Sequence, residues 1–317
     1  MYKKMRMIIR DTIKHNTPDC VLFSGGIDSS IVLYESEKIN KDVVGITVGI
    51  KENNSEDIKY SKLVARKLGI KLLIYEVDKA YVLSKVDEAI KILKSFNPEW
   101  ISSTITLLLG IEFAKKNGYK NIGSGEGADD LFGSFPFFKN YKGTKNNINK
   151  IINLRFENIP IMTSEIAKHF GVSSVTPYRE NLLANYIKSI PISTRMKETS
   201  TIKTKYPLRK CYMNYLPHEA IVRPQTMAFT GSGIFEVLKE SENLITDNEY
   251  EEACLKIFKF KSKLEYILFK KYINYFVYEK VKTKKCVHCN SIINGKSVNC
   301  NVCQTVQFHG KELKFDA

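Results

Sequence analysis

No stretch of the 317 residues approaches the roughly 18 consecutive apolar residues of a bilayer-spanning helix, which excludes a membrane span of that kind. The basic start, MYKKMRMIIRDTIKHNTPD, has no apolar stretch of signal-peptide length, so the expectation is a soluble, cytoplasmic protein without a membrane partner. Low-complexity sequence is missing too. Hydrophobic residues make up 43%, charged 26% and aromatic 11%, ordinary usage that excludes a disordered or collagen-like chain. Acidic residues are scarce, 34 against 49 Lys and Arg. The resulting +15 suits a polyanion such as a nucleotide or RNA, an acidic partner, or a diffusely basic surface. His15, His169, His218 and His309 lack the spacing of a zinc or triad site and are expected at the surface or at helix caps. The length predicts about two domains.

Of seven cysteines, Cys20, Cys211 and Cys254 stand alone and are expected in the core. The other four form Cys286-Val-His-Cys289, ten residues, then Cys300-Asn-Val-Cys303. Two C-x2-C knuckles joined by a short Gly- and Asn-containing hairpin put four thiolates at tetrahedral spacing, which suits structural zinc in a ribbon. Two disulfides are disfavoured without a secretion signal, and an iron–sulfur centre is the lesser rival. His288, inside the first knuckle, is expected at the surface rather than as a fifth ligand.

Along the chain, apolar runs alternate with helical periodicity. Strands are predicted at 19–23, 43–50, 71–77 and 119–123, and helices from Ile31, at 58–68, 82–93 and 102–117. The alternation predicts a parallel α/β sheet, whose ligands bind where loops leave the carboxyl ends of strands. Two Gly-rich loops occupy such positions.

The first loop is Ser24-Gly-Gly-Ile-Asp-Ser-Ser30. Its glycines let backbone approach a phosphate, while Ser24, Ser29, Ser30 and the free N–H groups of the next helix supply donors to an anion. A Gly-Lys-Ser/Thr ending is absent, and Asp28 repels phosphate unless Mg²⁺ lies between them. The plainer alternative is a tight strand–helix connection. The second loop, Ser124-Gly-Glu-Gly-Ala-Asp-Asp130, gathers Glu126, Asp129 and Asp130, which cannot all be buried and ionised without a cation. It reads as a metal site with a base, or as an exposed acidic loop.

Together these motifs carry a resemblance. The first loop resembles the pyrophosphate loop of PP-loop (N-type) ATP pyrophosphatases, and Gly125-Glu-Gly-Ala-Asp-Asp-Leu-Phe-Gly133 resembles the second signature of the asparagine synthetase synthetase domain, shared with β-lactam synthetases. Ile46–Ile50, Gly171-Val172 with Thr176-Pro-Tyr178, and Lys205-Tyr-Pro-Leu-Arg209 with Leu216-Pro217 and Arg223-Pro224 extend it from about Val21 to Phe229. The resemblance implies an adenine nucleotide α-hydrolase-like sheet flanked by helices. It also implies adenylation: a substrate oxygen attacks the ATP α-phosphate, pyrophosphate leaves, and a nitrogen nucleophile displaces AMP. Carried over by position, Leu22 and Val48 would touch adenine. Ser24, Gly25, Gly26, Ser29 and Ser30 would hold pyrophosphate, with Gly125 near the nucleotide. Asp28 and Asp129 would hold Mg²⁺, and Glu126 would orient the acceptor or take a proton at the reacting centre.

This sequence also departs from the family. Only some 18 residues precede the first strand, so no built-in glutaminase is expected and ammonia would come free or from a separate glutaminase partner. The family's Asp and Arg before the second signature are Asn97 and Ser102 here, and a later Arg is Val175, which implies a changed acceptor pocket. The family lysine that stabilises transition-state charge falls on Gln225, leaving Arg223 or Lys205 to supply a cation.

Leu255 to Lys285 holds ten Lys against two Glu and eight Phe or Tyr. Lys256, Lys259, Lys261, Lys263, Lys270 and Lys271 could follow phosphates. Alternatively, Phe258, Leu264, Ile267, Leu268, Tyr272 and Phe276 pack on the core with solvated lysines outside. The expected organisation is an N-terminal helix (1–18), an asparagine synthetase-like domain (19–245), a basic helical segment (246–284) and a zinc ribbon (285–310). Three readings follow: an ATP-, Mg²⁺- and Zn²⁺-dependent carbon–nitrogen ligase acting on a small acid, a tRNA-modifying enzyme that adenylates a base carbonyl, and a silent nucleotide-binding scaffold.

Overall fold

The computed structural model describes residues 1–51, 55–141, 143–280, 285–293, 297–308 and 311–313. Five strands form one parallel sheet: β1 (Cys20–Leu22), β2 (Val44–Ile50), β3 (Leu72–Val77), β4 (Asn121–Gly123) and β5 (Ser173–Val175). Their order is β3-β2-β1-β4-β5. Every residue of β2 is buried, as expected of a central parallel strand covered on both faces. Register is fixed by Leu22 opposite Ile46, Cys20 opposite Ile122 and Gly123 opposite Val175.

Helices α1 (Tyr2–His15), α2 (Ile27–Glu37), α3 (Glu56–Leu68), α4 (Lys79–Ser84), α5 (Val86–Leu93) and α6 (Pro98–Lys116) belong to the first half. The second half holds α7 (Ala128–Phe132), α8 (Pro136–Asn140), α9 (Lys145–Asn158), α10 (Met162–Phe170), α11 (Asn181–Ser189), α12 (Ile192–Arg195) and α13 (Tyr206–Tyr212). There follow α14 (His218–Val222), α15 (Ala228–Gly231), α16 (Ile234–Lys239), α17 (Asp247–Lys256) and α18 (Lys263–Tyr272), then a short antiparallel pair, β6 (Gln307–Phe308) and β7 (Lys311–Glu312).

Local chemistry explains two departures from the expected helices. The stretch 82–93 breaks at Lys85, where the Ser84 hydroxyl donates to the Tyr81 carbonyl (2.7 Å) and competes with the helical ladder. Helix α6 begins at Pro98 rather than Ser102, because Asn97 accepts from the Trp100 N–H (3.0 Å) as N-cap and Pro98 fits the first helical position. Helix α1 buries Met5, Ile9 and Ile13 on one face, while Arg6 and Arg10 clasp the buried Glu35 carboxylate of α2 (3.0 and 2.8 Å). Cys20 and Cys211 lie in the core as expected. Among the described residues, no helix is long and apolar enough to cross a membrane.

The C-terminal part is not a loose appendage. Phe96 meets the rings of Phe258, Phe269 and Tyr272, and the four clustered cysteines share this apolar cluster with Val48, Ile101 and Ile105. The expected packing of Phe258, Leu264, Leu268 and Tyr272 is therefore observed. The six lysines are less free than their spacing suggested. Lys256 pairs with Glu252, Lys261 with Glu312, Lys263 with Asp247, Lys270 with Glu249 and Lys271 with Asp87, so five of the six face a carboxylate. Residues 281–284 of the basic segment, residues 294–296 between the two cysteine pairs and His309 lie outside the described residues.

Candidate active site

Strand order reverses on either side of β1: β2 and β3 lie to one side, β4 and β5 to the other. The loops leaving β1 and β4 thus face each other across a topological switch point, where open α/β sheets bind ligands. They are Ser24–Gly26 and Ser124–Gly127, and a cavity of about 320 Å³ opens between them. Close approach depends on glycine. Gly25 sits at φ +77°, and a Cβ there would stand 2.6 Å from the Tyr60 carbonyl carbon. A Cβ at Gly125 would lie 2.8 Å from that of Asp28, so one loop rests directly on the other.

Of the residues expected to hold nucleotide, Leu22, Ser24, Gly26, Asp28, Ser29, Val48 and Gly125 line this cavity. Gly25 and Ser30 do not line it. Gly25 is turned against α3, and Ser30 is fully buried with its N–H bonded to the Gly26 carbonyl (3.0 Å). The start of α2 points its positive end and Asp28 toward the cavity.

The charged centre is compact. The Lys205 ammonium, fully buried, binds both the Asp28 carboxylate and Asp129 (2.8 Å). Gln225 also donates to Asp129 (2.8 Å). The second oxygen of Asp28, Oδ1, is buried with no hydrogen-bond partner among the described residues. Burial pushes the Asp28 carboxyl above its ordinary range against the pull of Lys205, while both carboxylates hold the Lys205 ammonium above its own despite burial. Two convergent carboxylates with an orphaned buried oxygen fit a divalent cation.

Glu126 lines the cavity, but its oxygens already accept from the Met162 N–H (2.8 Å), the Thr163 N–H (2.8 Å) and the Thr163 hydroxyl (2.7 Å) at the start of α10. Burial raises its carboxyl nonetheless. Arg223, also in the wall, donates to the Ser24 carbonyl and to Asp57 (2.6 Å), tying the phosphate loop to α3. Asp57 is pushed up to about 6 by burial, against Arg223.

The cavity is also lined by Glu99, Trp100, Ser103, Phe135, Arg155 and Arg179. Burial raises the Glu99 carboxyl. Of the positions where the sequence departs from the family, Asn97 caps α6 and the Ser102 hydroxyl folds back on the Pro98 carbonyl (2.7 Å), so neither reproduces a charged contact. Asp57, Glu99, Trp100, Arg155 and Arg179 were missed. Glu99 and Trp100 lie between Asn97 and Ser102, the positions already marked as changed, and Arg179 directly follows Thr176-Pro-Tyr178, so those signals existed; Asp57 and Arg155 had none.

The four cysteines do come together. Their sulfurs lie within 4.8 Å of one another and are buried, a donor set suited to one tetrahedral metal ion. His288 is not a surface residue: its side chain is buried and bonds Glu265 of α18 (2.8 Å), because the knuckle is pressed against that helix. The module also docks on the residues that lead into α6, just before Glu99 and Trp100 of the cavity lining. The Val302 carbonyl accepts from Ser95 (2.6 Å) and the Phe96 N–H (3.2 Å), and the Cys303 carbonyl from Asn97 (3.1 Å). Buried Arg155 joins Asp130 (2.9 Å) to Asn299 (3.0 Å).

Comparison with known proteins agrees with this geometry. A model of the asparagine synthase family matches residues 4–168. The chain is 22% identical over 275 residues to the glutamine-hydrolysing asparagine synthetase B of Escherichia coli, covering 79% of this chain and 49% of that protein. It is 33% identical over 113 residues to a tRNA-specific 2-thiouridylase of Treponema denticola, 32% of this chain and 31% of the other. Among solved structures it is similar to an NH3-dependent NAD synthetase from Campylobacter jejuni, with 16% identity, 89% of this chain and 97% of that chain covered, and a TM-score of 0.35. The chain spans about half the length of the asparagine synthetases it matches, 47% and 49%.

Proposed function

The chain belongs to the asparagine synthase family, and from that premise we propose that it is an ATP-dependent carbon–nitrogen ligase that forms AMP and pyrophosphate. The observation that carries the reading is the meeting of two Gly-rich loops at the switch point, with Asp28 and Asp129 converging on one cation beside the cavity.

An acceptor carboxylate oxygen attacks the α-phosphorus, the bond to the bridging oxygen breaks and pyrophosphate departs. A nitrogen nucleophile then attacks the activated carbon, and AMP leaves with the electron pair of the broken carbon–oxygen bond. Leu22 and Val48 flank the base; Ser24, Ser29 and the start of α2 receive the phosphates. Asp28 and Asp129 would hold Mg²⁺, which when bound would neutralise charge on the leaving pyrophosphate. Arg223 and Lys205 supply positive charge where the family lysine has become Gln225. Glu126, held by three donors, suits orientation of the acceptor better than proton removal. The four-cysteine module carries Zn²⁺ and supports the acceptor wall.

The acceptor is a small acid in this reading, with ammonia free or delivered by a separate glutaminase. A tRNA acceptor draws support from the likeness to the thiouridylase, while ion pairs on five of the C-terminal lysines weaken the case for that segment as its phosphate track. In Asp28→Ala, Mg²⁺-dependent pyrophosphate release is expected to fall by about 100-fold or more with circular dichroism unchanged. Turnover retained by that variant would remove the assignment.

A further inference from the structure

Lys205 stands where the proposed metal belongs. Its side chain is fully buried, and its ammonium bonds the two carboxylates, Asp28 and Asp129, that converge on the cavity wall. The residue is anchored in an unusual way: it precedes α13 with φ +54° and ψ +36°, a left-handed conformation that L side chains seldom adopt. The cavity's arginines are committed elsewhere. Arg209 donates to the carbonyls of Thr204 and Ile221, Arg179 to those of Phe156 and Ile159, and Arg155 and Arg223 to Asp130 and Asp57. Lys205 alone among these cations holds the carboxylates a metal would claim. Its flexible four-carbon stem and point charge also allow it to move where a planar guanidinium would be held by its fork of donors.

We propose that Lys205 is the built-in counter-ion of the Asp28–Asp129 pair, exchanged for a divalent cation when the nucleotide arrives. In the empty site the ammonium prevents two buried carboxylates from facing each other uncompensated. When a metal takes the carboxylates, the like-charged ammonium loses both partners and is repelled, and the nearest new acceptors are the phosphate oxygens bound beside Ser24, Gly26 and Ser29. The exchange makes metal binding depend on nucleotide: a metal alone must evict the lysine with nothing to receive it, whereas with ATP the displaced charge has a destination. The same movement delivers a cation to the phosphates only after the metal is seated. This inference rests on the ATP site proposed above.

The test is Mn²⁺ binding followed by electron paramagnetic resonance on the full chain, with and without the non-hydrolysable analogue AMPCPP. Wild-type protein is expected to bind Mn²⁺ weakly alone and tightly with the analogue. Lys205→Met removes the competing cation. It is expected to bind Mn²⁺ alone at least about tenfold more tightly than wild type, the factor that follows if the lysine-free state is populated at a tenth or less. Its melting temperature, lowered by the unpaired carboxylates, should recover on adding Mn²⁺, with no comparable rise in wild type. Should Lys205→Met fail to fold, Lys205→Gln keeps a donor and removes the charge, and is expected to show the same gain. Nucleotide-free Mn²⁺ affinity unchanged in the folded variant, while wild type binds Mn²⁺ with AMPCPP, overturns the exchange and leaves the ATP site standing. Absence of Mn²⁺–AMPCPP binding in wild type overturns both.

Discussion

The contact of Asp57 with Arg223 is sensitive to pH. The Asp57 carboxyl, pushed up to about 6 by burial, must be ionised to hold Arg223 at full strength against the Ser24 loop. An acid limb in pyrophosphate release with a midpoint near 6 is therefore expected, and a pH–rate profile of Asp57→Asn should be low throughout and lack it. For stability the sign is opposite. The native state keeps a proton on Asp57 at pH values where the unfolded chain, titrating near 3.8, has released it, so this group's contribution falls as pH rises from about 4 to about 6. Denaturant midpoints compared between wild type and Asp57→Asn across that window check the slope. Asp28, Asp129, Ser24 and Ser29 were legible from their spacing, since one short loop carries each group. Asp57 was not, because it reaches Arg223 across 166 positions and only the fold brings the two together. Ser30 lies outside the cavity lining for a local reason: the next residue in a helix start turns about 100° away, here into the core.

At the scale of elements, Asn97 does two jobs: its oxygen caps α6 and its amide nitrogen donates to the Cys303 carbonyl. Asn97→Ala is expected to cost about 1–2 kcal/mol in urea unfolding, since a lost cap alone costs about 1. Asn97→Asp should recover the cap but not the link to the cysteine module, falling between the two; equal stability of Ala and wild type would contradict both roles. The Asn97-Pro98 pair is itself a helix-start signal, passed over because the segment was read as a loop aligned to charged family positions. The first four strands were read within two residues of their ends, helped by the apolar run of β2, whereas β5 was too short to stand out and the break at Lys85 was hidden by unbroken helical periodicity.

For the whole molecule, the C-terminal module and the sheet share one apolar cluster, and Arg155 bolts Asp130, beside the second loop, to Asn299. Replacing Cys286 and Cys289 by Ser should release the bound metal and lower the melting temperature by several degrees; undiminished metal content would contradict the ribbon assignment. The net charge of +15 identified no partner, because charge totals ignore the ion pairs made by Lys256, Lys261, Lys263, Lys270 and Lys271, five of the ten lysines between Leu255 and Lys285. Binding of bulk tRNA is accordingly expected to be weak at 150 mM salt, as a filter-binding titration would show. The account stands most directly on the fate of ATP. With α-³²P-labelled ATP, Mg²⁺, ammonium and a pool of small carboxylic acids, it predicts labelled AMP and an equal amount of pyrophosphate, dependent on the acid. Labelled ADP with inorganic phosphate, or no cleavage with any acceptor including tRNA, would contradict it.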